Sequence, residues 1–246
     1  MRWWRALRQA VFAIAGVVPA GTQADDWEAA RRRMVADVSE MARLTARDTG
    51  RPVFAARTLE ALAAVPRHRF VARAEESRAY LNVPLAIGAA QTISQPYIVA
   101  LMTDLLDVRP GDRVLEVGLG SGYQAAVLAQ LAATVHSIEI VPELERIARA
   151  RLAELGYRNV ETRSGDGHQG WPERAPFDAI LVAAAAREVP PALLTQLQPG
   201  GRLVIPLGSA TETQTLYLVR KDQEGRLHRQ ALLPVRFVPF TGGTAQ

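Results

Sequence analysis

The chain has 246 residues, of which 48% are hydrophobic, enough for the core of one domain of the larger kind. There is no cysteine, which excludes disulfides, thiolate zinc sites and cysteine nucleophiles together, and aromatics make up only 6%, too few for an extended base-stacking surface. The net charge is +4, but Arg2, Arg5 and Arg8 precede any acid, so the chain from Asp25 onward carries only +1 and no nucleic-acid partner is expected.

The first 24 residues have the layout of a secretory signal. Arg2–Arg8 is basic, Val11–Val18 is apolar but too short to span a bilayer, Pro19 breaks it, and Thr22-Gln23-Ala24 resembles a cleavage site. Cleavage after Ala24 would send the mature chain to the periplasm or outside the cell, with no stable membrane insertion; the other reading is an ordinary N-terminal helix of a cytoplasmic protein. Asp25 and Asp26 are N-cap candidates for a helix running to about Leu44, with Arg31, Arg32 and Arg33 on a solvated face. Asp48–Pro52 reads as a loop, Ala55–Val65 as a helix ended by Pro66, and Leu81–Pro96 as irregular because Pro84, Gly88 and Pro96 interrupt it. A helix over Tyr97–Leu106 and a Pro110-Gly111 turn follow.

Strand and helix patterns then alternate: strand Arg113–Val117, helix Gln124–Ala132, strand Thr134–Ile138, helix Pro142–Leu155, strand Val160–Arg163, loop Gly165–Pro176, strand Ala179–Val182, helix Pro191–Leu197, and strand Leu203–Pro206 after a Gly200-Gly201 turn. This predicts a parallel sheet with helices on both faces. Thr213–Arg220 and Leu227–Val238, around the turn-rich Lys221–Gly225, read as a closing hairpin. The expected architecture is a single α/β domain over residues 25–246. Its segment 25–110 supplies added helices, and 111–246 the nucleotide-binding core and terminal strands.

Chemistry concentrates at Val114–Tyr123. A short apolar strand carries Glu116 near its end, breaks into Gly118-x-Gly120-x-Gly122 with Ser121 between, and enters a helix. That is the opening of a nucleotide-binding βαβ unit. The dinucleotide pattern needs a third glycine where Tyr123 stands. A carboxylate beside the turn would also repel a pyrophosphate, whereas it would attract the ammonium and sulfonium of S-adenosylmethionine. Glu139 ends the second strand, 21 residues after Gly118, where such units place an acid for ribose hydroxyls. Asp166, in Gly165-Asp166-Gly167 after the third strand, could reach the adenine amino group. Glu116, Glu139 and Asp166 thus stand at three successive strand ends on the edge where open α/β sheets bind ligands. His68, His136, His168 and His228 lack metal-ligand spacing, so no metal is expected. Ser94 lies outside any G-x-S-x-G elbow, and by spacing alone its segment reads as a polar loop before a helix.

Several segments, in order from Thr58 to Thr241, resemble the protein-L-isoaspartate O-methyltransferase family. They are Pro66-Arg67-His68-Arg69-Phe70-Val71, Gly88, Gln91-Thr92-Ile93-Ser94-Gln95-Pro96, Glu116–Tyr123, Gly165-Asp166-Gly167, Ala175–Ile180 and Arg236-Phe237-Val238-Pro239. The resemblance implies the Rossmann-like S-adenosylmethionine-dependent methyltransferase fold, a mostly parallel sheet with a C-terminal antiparallel hairpin and added N-terminal helices. It implies a monomeric protein-repair enzyme that methylates the α-carboxylate of L-isoaspartyl residues in proteins and peptides, the ester then collapsing to a succinimide. By the same resemblance Ser94 is the active-site serine. Gln91, Thr92 and Ile93 would line the cofactor and substrate pocket with it. Glu116, Gly118, Gly120, Ser121, Gly122, Glu139, Asp166 and Gly167 would hold the cofactor, and Val238, Pro239 and Thr241 would border the substrate. The chain departs from the family at Asn82, Ala86 and Ala90, where an acid, a proline and a glycine are usual. Two other readings stay open on the residues: a methyltransferase of another substrate, small molecule or RNA, and a non-catalytic binding protein that keeps the cofactor pocket.

Overall fold

A computed structural model describes residues 23–209 and 212–243 of the chain. The leader, residues 1–22, lies outside the described residues. The N-terminal third is helical: α1 (Gln23–Leu44), a single turn α2 (Ala46–Thr49) and α3 (Ala56–Ala64). α1 is described from Gln23 onward, so Asp25 and Asp26 lie inside the helix and do not cap it. Arg32 and Arg33 are exposed as expected, while Arg31 is half-buried and donates to the Ala64 carbonyl at 3.3 Å.

The stretch expected to be irregular contains a small antiparallel hairpin, β1 (Leu85–Gly88) and β2 (Gln91–Ile93). Its two-residue turn is Ala89-Ala90, both with left-handed backbone (φ 49° and 55°), the geometry of a type I′ turn. Helix α4 (Pro96–Leu106) follows at once. Pro96 occupies N1, where its missing N–H costs nothing. The Asn82 side chain accepts the Tyr97 amide at 2.9 Å, covering one of the free donors of the first turn. All eleven residues of α4 are buried, so the Ser94 segment is tethered to an element fixed on every side.

The remaining strands, β3 (Arg113–Val117), β4 (Thr134–Glu139), β5 (Val160–Ser164), β6 (Phe177–Val182), β7 (Leu197–Leu207), β8 (Gln214–Lys221) and β9 (Leu227–Val235), form one sheet in the order β5-β4-β3-β6-β7-β8-β9. Pairs from β5 to β7 are parallel, and β7–β8 and β8–β9 are antiparallel. Between them lie α5 (Tyr123–Ala129), α6 (Pro142–Glu154) and α7 (Pro191–Gln196). β7 begins at Leu197, so Gly200 and Gly201 sit in a bulge of the strand and not in a turn before it. β9 stops at Val235, short of the expected Val238. Strand alternation divides the core in two. Val114, Val135, Leu181 and Val204 pack with α4, α5 and α6 on one face, and Leu115, Ile138, Ile180 and Leu203 pack with Val189 and Leu193 on the other. No helix among the described residues is long and apolar enough to cross a membrane.

Candidate active site

The chain runs from β3 out to β4 and β5 on one side, then returns to β6 on the other, so the strand order reverses at β3. A parallel sheet opens a crevice at the carboxyl edge of such a point. A cleft of about 860 Å³, counted with its solvent-open mouth, lies there. Four strand ends floor it: Gly118–Ser121 after β3, Glu139–Ile140 at β4, Gly167 beyond β5 and Ala183–Ala184 after β6. Gln91–Ser94 of the hairpin and Val238–Thr241 of the C-terminal segment form its walls.

The glycine loop is shaped by close approach. Gly118 has φ 95°, and a Cβ there would lie 3.4 Å from the Ala183 Cβ across the cleft floor. Gly120 has φ 52°, and a Cβ there would lie 3.2 Å from the Ile87 side chain, so the hairpin rests on the loop. Gly122 is different: it faces Leu152 and Ala148 of α6 and serves helix packing, not the cleft. The loop amides are turned inward. Gly118 and Leu119 both donate to the Ile138 carbonyl (2.8 and 3.2 Å), Gly120 to Glu139 Oε2 (2.8 Å) and Gly122 to the Leu119 carbonyl (2.8 Å). A phosphate-binding loop needs those amides free.

The three strand-end acids differ in placement. Glu139 lines the cleft, and its two oxygens accept the Gly120 and Val141 amides at 2.8 and 3.0 Å, leaving further lone pairs available. Glu116 does not reach the cleft. Strand alternation turns it to the α5 face of β3, where it is wholly buried and accepts a hydrogen bond from Ser137 Oγ, with Oε1 unpartnered. Burial pushes its pKa up to about 8; the Ser137 hydroxyl opposes this shift and the nearby Glu139 adds to it. Asp166 is also outside the lining. Its Oδ1 accepts the His168 amide at 2.9 Å and its Oδ2 the Gly243 amide at 2.6 Å, so its carboxylate fastens the C-terminal segment. Partial burial would raise its pKa, but these hydrogen bonds outweigh it and hold the group below the ordinary carboxylate range. Gly167 does line the cleft, and a Cβ there would collide with Val117 at 2.3 Å.

Ser94 is half-buried in the wall, and its hydroxyl hydrogen-bonds no other described residue. With no imidazole or carboxylate on it, it lacks the partner that activates a serine nucleophile. Its carbonyl accepts Arg67 Nη2 at 2.8 Å. Arg67 stands in a segment that carries the family resemblance, but its role is not legible there, because its hydrogen-bond partners lie 12 to 27 residues away. Opposite Ser94, Val238 and Phe240 hydrogen-bond both sides of Ala185 at 2.8 Å, and the Phe240 ring stacks on His168 with centroids 3.9 Å apart. Phe240, Ala183 and Ala184 join the lining without any cue in their residue types.

The family model for Protein-L-isoaspartate(D-aspartate) O-methyltransferase matches residues 43–245. Protein-L-isoaspartate O-methyltransferase 2 of Syntrophobacter fumaroxidans is 54% identical over 223 residues, covering 91% of this chain and 90% of the relative. A protein-L-isoaspartate O-methyltransferase of Opitutus terrae is 59% identical over 184 residues, 75% of this chain and 78% of the relative. Among solved structures, a protein-L-isoaspartate O-methyltransferase superposes with a TM-score of 0.75 at 28% identity, over 87% of this chain and 66% of that one. A Plasmodium falciparum structure described as a beta-aspartate methyltransferase in complex with S-adenosyl-L-homocysteine gives 0.70 at 23% identity, over 87% of this chain and 98% of that one, a likeness of fold.

Proposed function

Because the chain belongs to the protein-L-isoaspartate O-methyltransferase family, we propose that its carboxyl-edge cleft binds S-adenosylmethionine and transfers methyl to the free α-carboxylate of L-isoaspartyl residues in proteins and peptides. The observation that carries this reading is the glycine loop itself. Four of its five amides, those of Gly118, Leu119, Gly120 and Gly122, are spent inside the protein and a carboxylate, Glu139, stands beside it, so it suits a cationic nucleoside ligand and not a pyrophosphate. The glycines fit too, since 118 and 120 have left-handed φ (95° and 52°) that L side chains rarely adopt, and a Cβ at 120 would press on the Ile87 side chain.

When bound, S-adenosylmethionine supplies a methyl group activated on a cationic sulfur. Gly118, Gly120, Ser121, Gly167 and the Gln91–Ile93 strand enclose the ligand, and Glu139 has lone pairs left to accept from ribose hydroxyls. Gly122 and Asp166 support the cleft from behind, and Glu116 from beneath the loop. The substrate carboxylate is already ionised at neutral pH, so no base is needed. What the protein contributes is in-line placement of two reactants. Ser94 donates its free hydroxyl to the carboxylate and orients it. Val238, Pro239 and Thr241 border the peptide. Ile93, Val238 and Phe240 give the walls an apolar lining, which favours a reaction whose charges neutralise each other. The enzyme acts as a monomer and needs no nucleic acid.

Radiolabelled methyl transfer to an isoaspartyl peptide, set beside its aspartyl twin, tests the reading. Label in the isoaspartyl peptide alone supports it. Cofactor binding with no label in either peptide would favour a non-catalytic homologue or another substrate.

A further inference from the structure

We propose that Arg67 is a positioning residue for the methyl transfer, clamping the base of the β1–β2 hairpin and thereby fixing the direction of the Ser94 hydroxyl. The inference rests on the orienting role given to Ser94 above.

Arg67 is 0% exposed, yet no Asp or Glu among the described residues forms an ion pair with it. A buried cation without a counter-ion is an expensive arrangement, and here it is offset by hydrogen bonds to backbone carbonyls, although Nη1 has no partner among the described residues. Burial lowers its pKa to about 10, so it stays charged at neutral pH. The guanidinium gathers carbonyls from separate segments. Nε donates to Ala79 at 2.7 Å, and Nη2 donates to Ser94 at 2.8 Å and more weakly to Val83 at 3.5 Å. Val83 lies just before β1 and Ser94 just after β2, so one nitrogen ties the two ends of the hairpin together. Its Cζ lies over the Tyr123 ring, 4.7 Å from the ring centre, and Tyr123 opens the helix that leaves the glycine loop. Arg67 thus fixes the serine wall relative to the cofactor loop. A lysine would keep the charge but not the rigid fork.

The experiment is a double-mutant cycle on isoaspartyl-peptide methylation: wild type, Arg67→Lys, Ser94→Ala and the pair, with S-adenosylhomocysteine affinity measured by calorimetry on each. Misplacing an orienting group should lower kcat by roughly ten- to a hundredfold. For Arg67→Lys that loss is expected with cofactor affinity within about threefold, and in the Ser94→Ala background the extra loss should shrink to under about threefold, because the hydroxyl being aimed is gone. Wild-type kcat in Arg67→Lys, or an equal loss in both backgrounds, would overturn the proposal. If Arg67→Lys is recovered unfolded, Tyr123→Leu, which loosens the guanidinium without removing it, is read by the same cycle on kcat at saturating cofactor, because Tyr123 itself lines the cleft. Wild-type turnover separately decides the functional reading, so the two failures are distinguishable.

Discussion

Glu139 Oε2 accepts the Gly120 amide at 2.8 Å, so the acid that ends β4 holds the loop that follows β3 in place. Its other oxygen holds the start of α6 through the Val141 amide. Glu139→Ala removes both charge-assisted bonds and a group that lines the cleft. At about 1.5–3 kcal/mol for a bond to a charged group, S-adenosylhomocysteine affinity should fall roughly ten- to a hundredfold. Calorimetric titration checks this; unchanged affinity would remove Glu139 from the cofactor site.

Glu116 makes the stability of the unliganded protein depend on pH. Its folded pKa, about 8, lies above its ordinary value of 4.5, so its protonated form is the one the fold favours. Its contribution is fully present below about pH 4.5 and is lost as pH rises toward 8. Thermal unfolding of wild type and Glu116→Gln between pH 5 and 9 isolates the effect. The variant, which keeps a neutral group beside Ser137, should gain on wild type steadily as pH rises; a constant difference across the range would sink the assignment.

The Ala89-Ala90 turn carries a cost that Ala90→Gly should relieve. An L-residue in the left-handed region costs about 1–2 kcal/mol, partly offset by the extra freedom glycine gives the unfolded chain. The net gain should be roughly 0.5–1 kcal/mol by urea denaturation. A loss of that size would show the turn is not strained.

This turn also shows why part of the fold escaped the sequence. β3 was readable to the residue because Val114, Leu115 and Val117 stand between the Pro110-Gly111 turn and the glycine loop, which punctuate the strand at both ends. The β1–β2 hairpin was not, because its turn uses two alanines where Asn-Gly would advertise one. Glu139 was placed correctly on the cleft edge by its distance from Gly118. Glu116 could not be, since a strand's alternation decides which face an acid takes and the loop motif says nothing of it. The bond from Asp166 to the Gly243 amide, 77 residues away, has no local signature in the sequence.

The leader remains an expectation with a direct assay. Cleavage after Ala24 would trim only the first two residues of α1. It would spare Trp27, whose ring stacks on His68 at 4.7 Å and joins the helix to the domain. N-terminal sequencing of protein from the native source should therefore read Asp25 first, in an exported fraction. An intact leader in the cytoplasm rules export out.

Ser94 offers the sharpest test of the chemistry. Its hydroxyl is free in the cleft wall, no base touches it, and its backbone is pinned by Arg67 from one side and by the buried helix α4 from the other. Such a group can orient a carboxylate but is not equipped to attack anything. Losing one hydrogen bond to a charged partner costs about 1.5–3 kcal/mol, or roughly ten- to a hundredfold in rate. Ser94→Ala should slow methylation of an isoaspartyl peptide by that amount with cofactor affinity nearly unchanged, whereas loss of a nucleophile would abolish turnover. Ser94→Thr keeps the hydroxyl and should retain more activity than the alanine variant. Steady-state kinetics on the three proteins separates the cases: a wild-type rate in Ser94→Ala would mean that the carboxylate is held by other groups of the cleft.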